Sequence, residues 1–83
     1  MSNTQSSINR VCEYRGLPQI KKGSPCMVDG KPGRVWGGNS AANLNVKFDG
    51  QRGVSNCHPY WRMRITDENG NTIYESPADQ AHD

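Results

Sequence analysis

The chain has 83 residues, of which 33% are apolar and 22% are charged, and it contains 9 glycines and 5 prolines. A chain of this length forms one domain with a small core, and the composition favours a turn-rich β domain over a helical bundle. No apolar run approaches the roughly 18 residues of a membrane-spanning helix, and the start, MSNTQSSINR, lacks the apolar segment of a signal peptide. We therefore expect no membrane association.

The three cysteines lie at positions 12, 26 and 57, separated by long and irregular intervals. An odd number of cysteines with this spacing is not typical of a disulfide framework. In a reducing compartment such thiols serve as small buried apolar groups, and this is our interpretation of Cys26 and Cys57.

The charged residues divide unevenly along the chain, although the net charge is only +2. Residues 1–65 contain all ten basic side chains and three acidic ones, a balance of +7, whereas residues 66–83 contain five acidic side chains and no basic one. A basic module with an acidic tail predicts an anionic partner for the module, or a tail that screens its positive face. Ordinary solubilising surface charge is the alternative interpretation.

The N-terminal part of the chain predicts one short helix. Residues 1–7 are polar, and we expect them to be disordered. Ile8, Val11 and Cys12 then follow helical spacing, with Ser7 as the candidate N-cap and Gly16 as the end of the helix. We expect a helix of about two turns within residues 8–18, too short to be stable unless it packs on the rest of the domain.

Residues 24–65 carry the pattern of a β-meander. The turn at 30–33, GKPG, combines a proline with two glycines that accept positive φ. Segment 44–48, LNVKF, alternates apolar and polar residues, as a strand with one buried face does. In the first strand, Cys26 and Val28 should face inward and Met27 outward. We predict strands at 25–29, 34–36, 43–48, 54–57 and 62–65, with a hairpin loop at 49–53 and a single turn at Pro59 before the fifth strand.

Five short strands with one turn before the last are the order of SH3-like barrels, and closure would remove exposed sheet edges. The predicted fold is therefore mainly β: a small SH3-like five-stranded antiparallel barrel at 24–65, with the short N-terminal helix at one end and an added C-terminal hairpin strand at 66–75. An open meander is the alternative. Residues 76–83 are predicted to form an acidic flexible tail. The predicted interior contains Val28, Val35, Leu44, Val46, Phe48, Val54, Met63 and Ile65.

Four segments, YRGLP at 14–18, DGKPGRV at 29–35, NLNVKFDG at 43–50 and NCHP at 56–59, together resemble a group of short uncharacterised proteins encoded by tailed bacteriophages and prophages. The likeness covers about residues 9 to 65. It implies a small SH3-like barrel, a viral or prophage origin and a location in the cytoplasm of the bacterial host or in the virion, and it brings no activity or functional residue. The chain is also broadly similar to KOW and Tudor domains. Because SH3-like domains bind peptides, methylated side chains, RNA or DNA, the fold does not select a partner.

No residue pattern predicts catalysis, and we expect that the protein is not an enzyme. Catalysis by a cysteine nucleophile would require the Cys57 thiol to lie within hydrogen-bond reach of the His58 imidazole as its base. Neighbours on a strand point to opposite faces, however, so a buried thiol beside a turn histidine is the favoured interpretation. A zinc site needs about four ligands in closely spaced pairs, and the cysteines and histidines are scattered. We therefore predict no catalytic residue, metal or cofactor.

The strongest functional pattern is a set of aromatic and basic residues on the outer face of the predicted sheet. If Val35 faces the core, its neighbours on the same strand face solvent, as do the basic residues that alternate with apolar ones on the third and fifth strands. For Trp61 the favoured interpretation is that it seals the end of the barrel against the helix, whereas for Trp36 sealing and binding are equally open. The predicted binding residues are Arg34, Trp36, Lys47, Tyr60, Trp61, Arg62 and Arg64.

This face fits two kinds of partner. Trp, Tyr and Arg are enriched at protein interfaces, so our first hypothesis is a non-catalytic accessory module of phage type that binds another protein. Aromatic rings also stack on bases while cations contact phosphates, so the second hypothesis is an SH3-like module that binds nucleic acid. A small enzyme is a third class, which no residue pattern supports.

Overall fold

The structure, a computed structural model, describes residues 3–76. Residues 77–83, which hold most of the predicted acidic tail, lie outside the described part of the chain. The mainly β class, the N-terminal helix and the C-terminal edge strand are confirmed. The elements are α1 (Gln5–Arg15), β1 (Pro25–Val28), β2 (Lys31–Gly38), β3 (Leu44–Phe48), β4 (Ser55–Cys57), β5 (Met63–Thr66) and β6 (Thr72–Glu75).

All six strands belong to one antiparallel sheet in the order β4-β3-β2-β1-β5-β6. β1 lies inside the sheet because it pairs on both sides, with Met27 opposite Pro32 of β2 and opposite Arg64 of β5. β4 and β6 end the hydrogen-bonded order and, within residues 3–76, do not pair with each other, so the sheet is not closed. The sheet has six strands and not five, because the added C-terminal strand β6 pairs with β5 and belongs to the same sheet, and a barrel is not confirmed.

Helix α1 begins three residues before the predicted start at Ile8. Its N-cap is Thr4, and the assignment of that role to Ser7 was wrong. The Thr4 hydroxyl accepts a hydrogen bond from the Ser7 backbone N–H, and the Ser7 hydroxyl accepts one from the Thr4 N–H, both at 3.2 Å. This reciprocal pair satisfies N–H groups that a helix end otherwise leaves open. Gly16 ends the helix with φ 71°, a left-handed conformation that suits glycine, and donates its N–H to the Cys12 carbonyl.

One cluster of buried apolar residues joins α1, the linker after it and one face of the sheet. The inward direction of Cys26 and the outward direction of Met27 are confirmed. Phe48 is half-buried and packs against the cluster, but Val54 is 39% exposed and its assignment to the core was wrong. β4 begins only at Ser55, so Val54 lies outside the strand alternation. The cluster contains Ile8, Val11, Cys12, Ile20, Cys26, Val28, Val35, Leu44, Val46, Cys57, Met63 and Ile65.

Strand β2 does not stop before the two glycines, as the predicted strand at 34–36 does, but continues through Gly37 and ends at Gly38. Gly37 and Gly38 are buried and pair with β3, after a bulge in the register. The Gly38 N–H donates a hydrogen bond to the Ser7 hydroxyl at 3.0 Å, which ties the helix to the strand. The end of β2 therefore lies directly under α1.

Candidate functional site

The structure places the seven predicted binding residues in two groups, on either side of β1 in the sheet order. The first group lies on β2 and β3, where Arg34 pairs with Lys47 across the two strands. The second group lies in the turn before β5 and on β5 itself. We call them the Trp36 group, which contains Arg34, Trp36 and Lys47, and the Trp61 group, which contains Tyr60, Trp61, Arg62 and Arg64.

Two ammonium groups lie against the half-buried ring of Trp36. The Nζ atom of Lys22 is 4.7 Å from the ring centroid, and that of Lys47 is 5.6 Å from it. At these distances a cation is attracted to the electron-rich face of an aromatic ring. Lys22 was not predicted to belong here, because it lies in the linker before β1, where no periodic pattern indicates which way a side chain points.

The cations around Trp36 have no carboxylate within ion-pair distance in the described part of the chain. Arg34 Nη1 donates a hydrogen bond to a backbone carbonyl of the linker at 2.8 Å, and Lys22 Nζ donates to the Asn3 carbonyl at 2.6 Å. Carbonyl dipoles orient these cations without neutralising them. Within residues 3–76, Lys22, Arg34 and Lys47 form no ion pair. Direct ion pairs therefore do not neutralise the positive charge of the Trp36 group, and two acidic residues of this region, Asp67 and Glu68, line a depression together with Lys22 and Arg34.

In the Trp61 group the two arginines are paired with carboxylates. Arg62 Nη1 lies 2.9 Å from Asp29 Oδ1, and Arg64 Nη2 lies 3.2 Å from Glu75 Oε2. Exposed pairs of this kind add little stability, but they balance the local charge. Trp61 is 49% exposed, with its ring centroid 5.6 Å from the Arg62 guanidinium. The favoured interpretation, in which Trp61 seals the end of the fold, is therefore wrong.

Tyr60 connects the turn before β5 to the end of helix α1. Its hydroxyl donates a hydrogen bond to the Arg15 carbonyl at 2.7 Å. The Arg15 guanidinium lies 5.5 Å from the ring centroids of both Tyr14 and Tyr60, and Tyr14 is 75% exposed. Sequence reasoning missed this cluster, and the adjacent aromatic and basic residues at the helix end were the signal that could have found it.

A network of asparagine side chains lies on the loop after β2 and on the neighbouring strands, and sequence reasoning missed it too. Asn39 Nδ2 donates to Asn45 Oδ1 at 3.0 Å and to Asn56 Oδ1 at 2.7 Å, and Asn45 Nδ2 donates to Asn3 Oδ1 at 3.2 Å. Asn3, Asn39 and Asn45 border a depression of about 480 Å³ that Arg10 of α1 also lines. The frequency of asparagine in and around β3 was the available signal.

Cys57 is buried and His58 is exposed before the turn that precedes β5, as expected of a buried thiol beside a turn histidine. Cys57 is buried in the core, where desolvation raises the pKa of its thiol. His58 is exposed and accepts a hydrogen bond at Nδ1 from the Tyr60 N–H at 3.1 Å, and partial desolvation followed by the nearby Arg15 charge lowers its pKa. Burial raises the pKa of Cys26 to about 12, with a smaller contribution from Cys57. A thiolate at Cys26 or Cys57 is therefore disfavoured at neutral pH.

Residues 3–76 hold no group of three or more His, Cys, Asp and Glu side chains placed to bind a metal ion. Helix α1 is not long and apolar enough to cross a membrane.

Comparison with known proteins identifies no relative: no protein-family model, no curated protein and no solved structure matches this chain. Its function is therefore inferred from the geometry of its own residues.

Proposed function

We propose that this protein is a non-catalytic module that binds single-stranded nucleic acid across the Trp36 group. The observation that carries the proposal is the Trp36 ring with the unpaired ammonium groups of Lys22 and Lys47 at 4.7 and 5.6 Å from its centroid. An indole ring stacks on any base, while cations beside it contact the phosphates of the same strand. Lysine stems are flexible, so an ammonium group leaves the ring for a phosphate when a base takes its place.

The distribution of charge supports an anionic partner. Residues 3–76 contain ten basic and six acidic side chains, and two of the acidic ones are engaged with arginines of the Trp61 group. A strand bound to the Trp36 group would displace its own counterions. For single strands, the slope of log affinity against log salt concentration then falls by about 0.7 for each phosphate contact.

The test measures binding of a labelled oligothymidylate of about 12 nucleotides, a length within the usual site range, by fluorescence anisotropy. Trp36→Ala should weaken binding about tenfold, because one base stacked on an aromatic ring contributes about 1–3 kcal/mol. Replacing Lys22 and Lys47 together by Gln should reduce the salt slope by about 1.4, since two phosphate contacts are removed.

Trp61→Ala is the matched control, because Trp61 also lies beside a guanidinium but in the charge-balanced half of the surface. The affinity of Trp61→Ala for the oligothymidylate should stay within about twofold of wild type, a change well below the loss of one base stacked on an aromatic ring. A flat salt response, or a larger loss from Trp61→Ala than from Trp36→Ala, would contradict the proposal. Trp36 lies outside the buried core cluster, so the variant should fold, which circular dichroism checks.

The Trp61 group favours a second function, docking on another protein. Tyr60 is 39% exposed and Trp61 is 49% exposed, and large exposed aromatic residues are enriched at protein-interface hot spots. The ion pairs of Arg62 and Arg64 balance the charge here, which suits a protein surface better than a polyanion. A partner that is captured by wild type and Trp36→Ala but lost by Trp61→Ala would support this function, whereas capture unaffected by Trp61→Ala would count against it.

An SH3-like architecture and a phage or prophage origin are part of the proposal. The pairing of β1 with both β2 and β5 supports the architecture, as does the single turn before β5, in which the Trp61 N–H donates to the His58 carbonyl at 3.0 Å. The resemblance at 29–35 and 43–50 supports the origin, and with it a place in the bacterial cytoplasm or the virion. A gene position among replication or host-takeover genes would agree with nucleic-acid binding, whereas one among head and tail genes would favour protein docking.

A further inference from the structure

Two depressions form one groove between helix α1 and the loop that follows β2. The first has a volume of about 480 Å³ and the second of about 460 Å³, and Arg10, Asn39 and Ser40 line both. The first also reaches Asn45 of β3, and the second reaches Tyr14 near the end of α1. We call the two depressions together the helix groove.

The helix groove begins beside the Trp36 group. Lys22 Nζ, which lies 4.7 Å from the Trp36 ring centroid, also donates a hydrogen bond to the Asn3 carbonyl at 2.6 Å. Asn3 lines the first depression, and its Oδ1 accepts a hydrogen bond from Asn45 Nδ2 at 3.2 Å. The groove and the Trp36 group are therefore joined through Asn3 and Lys22.

The two sides of the Trp36 group differ in charge. On the side of the linker, a depression of about 390 Å³ is lined by Asp67 and Glu68 as well as by Lys22. The hydrogen bond from the Asn71 backbone N–H, with others from the same turn, holds the pKa of Asp67 below its usual value, so this carboxylate stays ionised at neutral pH. The described lining of the helix groove includes no acidic residue. A polyanion that continues past Trp36 therefore meets two carboxylates on the linker side and none among the described residues of the helix groove.

Arg10 provides an uncommitted cation in the helix groove. It is exposed and, within residues 3–76, its guanidinium forms no ion pair and no hydrogen bond. Glu13, an acidic neighbour on α1, lines a different depression. Arg15 also lines the groove, but its guanidinium donates to the carbonyls of Ala41 and Ala42. Arg10 is therefore the arginine of the groove that can turn to a phosphate.

Tyr14 gives the helix groove an exposed aromatic ring. The side chain is 75% exposed, and the Arg15 guanidinium lies 5.5 Å from its ring centroid. Tyr14 follows Arg10 by four residues, so the two side chains share one face of α1. The path that starts at Trp36 thus ends at a second aromatic ring beside a cation, and Arg10 lies between the two rings.

We infer that the helix groove holds the continuation of the bound strand, with Arg10 on a phosphate and Tyr14 stacked on a second base. The inference rests on the proposed nucleic-acid-binding function. Aromatic rings that stack on successive bases, combined with cations that follow the backbone, hold single strands without reading their sequence. A strand must be longer to reach both rings than to reach Trp36 alone. The contributions of Arg10 and Tyr14 should therefore depend on the length of the oligonucleotide.

The test compares oligothymidylates of about 4 and about 12 nucleotides, which both lie within the usual range of site sizes, by fluorescence anisotropy with the full chain. Tyr14→Ala should weaken binding of the longer strand about tenfold, because one stacked base is lost. It should change binding of the shorter strand, which Trp36 holds, by less than about twofold. Tyr14→Phe keeps the aromatic ring and should bind both strands as wild type does.

Arg10→Gln should reduce the salt slope for the longer strand by about 0.7, since one phosphate contact is removed. Lys31→Gln is the matched control, because it removes the same charge at the opposite end of β2. Lys31 precedes Gly38 by seven residues and therefore lies about 20 Å along the strand from the contact with α1. Lys31→Gln should keep the wild-type salt slope.

A Tyr14→Ala variant that binds the longer strand like wild type, or that loses equal affinity for both lengths, would overturn the inference. So would a Tyr14→Phe variant as weak as Tyr14→Ala, or equal salt slopes for Arg10→Gln and Lys31→Gln. In each case the proposed function would stand if Trp36→Ala weakened binding of both lengths. Failure of wild type to bind either oligonucleotide would overturn the function and the inference together.

Discussion

Ala42, in the loop between β2 and β3, holds a left-handed backbone conformation with φ 60°. This region costs a residue with a Cβ atom about 1–2 kcal/mol. Two hydrogen bonds maintain it: the Ala42 N–H donates to the Asn39 carbonyl at 3.0 Å, and the Ala42 carbonyl accepts from Arg15 Nε at 2.9 Å. The loop that carries Asn39 is therefore held against the end of α1 at the expense of local strain.

Ala42→Gly is expected to stabilise the protein by about 0.5 to 1 kcal/mol. Glycine removes the strain and keeps both backbone hydrogen bonds, and its greater freedom in the unfolded chain offsets part of the gain. Urea unfolding followed by tryptophan fluorescence measures the change. Ala41→Gly is the control, because Ala41 does not have a positive φ, and it should be neutral or destabilising. An Ala42→Gly variant less stable than wild type would show that the conformation is not strained in solution.

The direction of single side chains was predictable where strand alternation decides it. Met27 faces solvent and Val35 is buried, as predicted, because a period of two fixes the faces of a strand. The contact of Lys22 with Trp36 was not predictable, because Lys22 lies in a linker and meets the ring only after the chain folds. The same holds for Asn39, whose amide reaches two neighbouring strands.

Helix α1 and strand β2 meet at Gly38 with backbone against backbone. A Cβ atom at this position would collide with the Ser7 carbonyl oxygen and lie 2.6 Å from Val11 Cγ2. The Gly38 N–H also donates to the Ser7 hydroxyl at 3.0 Å. The helix can adopt its position on the sheet because residue 38 has no side chain.

Gly38→Ala should therefore destabilise the protein by about 1 to 3 kcal/mol, the usual effect of overpacking a close contact. The shift in the urea midpoint measures it. Gly53→Ala is the control, since a Cβ at Gly53 would have no atom within 4 Å, and its effect should stay within about 0.5 kcal/mol. Equal stabilities of the two variants would contradict the close packing at Gly38.

The type and order of the helix and strands were predictable, whereas several of their ends were not. Alternation and turn residues indicated the strands, and helical spacing indicated α1. Thr4 and Ser7 are both hydroxyl residues, and the backbone conformation of Thr4 decides that it is the cap. The glycines at 37 and 38 suggested that β2 stops before them, but β2 continues to Gly38, which permits the contact with α1.

Closure of the sheet and the grouping of the binding residues both depend on long-range geometry. Alternation shows which side chains face the core, but it does not show whether the outermost strands meet. The sequence indicated the chemistry of Trp36 and Trp61 correctly as aromatic residues beside cations. It could not show which of the two groups is ion-paired, because Asp29 and Glu75 reach Arg62 and Arg64 across neighbouring parts of the fold.

The net charge of the whole chain should set how strongly it attracts nucleic acid. Asp79→Asn with Asp83→Asn, both outside the described residues, raises that charge from +2 to +4. Binding of the oligothymidylate should strengthen about threefold near 20 mM salt and lose the gain near 0.5 M, because salt screens long-range attraction. Anisotropy titrations at both concentrations measure this, with Gln80→Ala as the uncharged control. No gain in affinity at low salt would contradict the electrostatic basis of binding. A gain that persists at high salt would indicate that the Asp79 and Asp83 carboxylates act at short range on the bound oligonucleotide or its site, and not through the net charge of the chain.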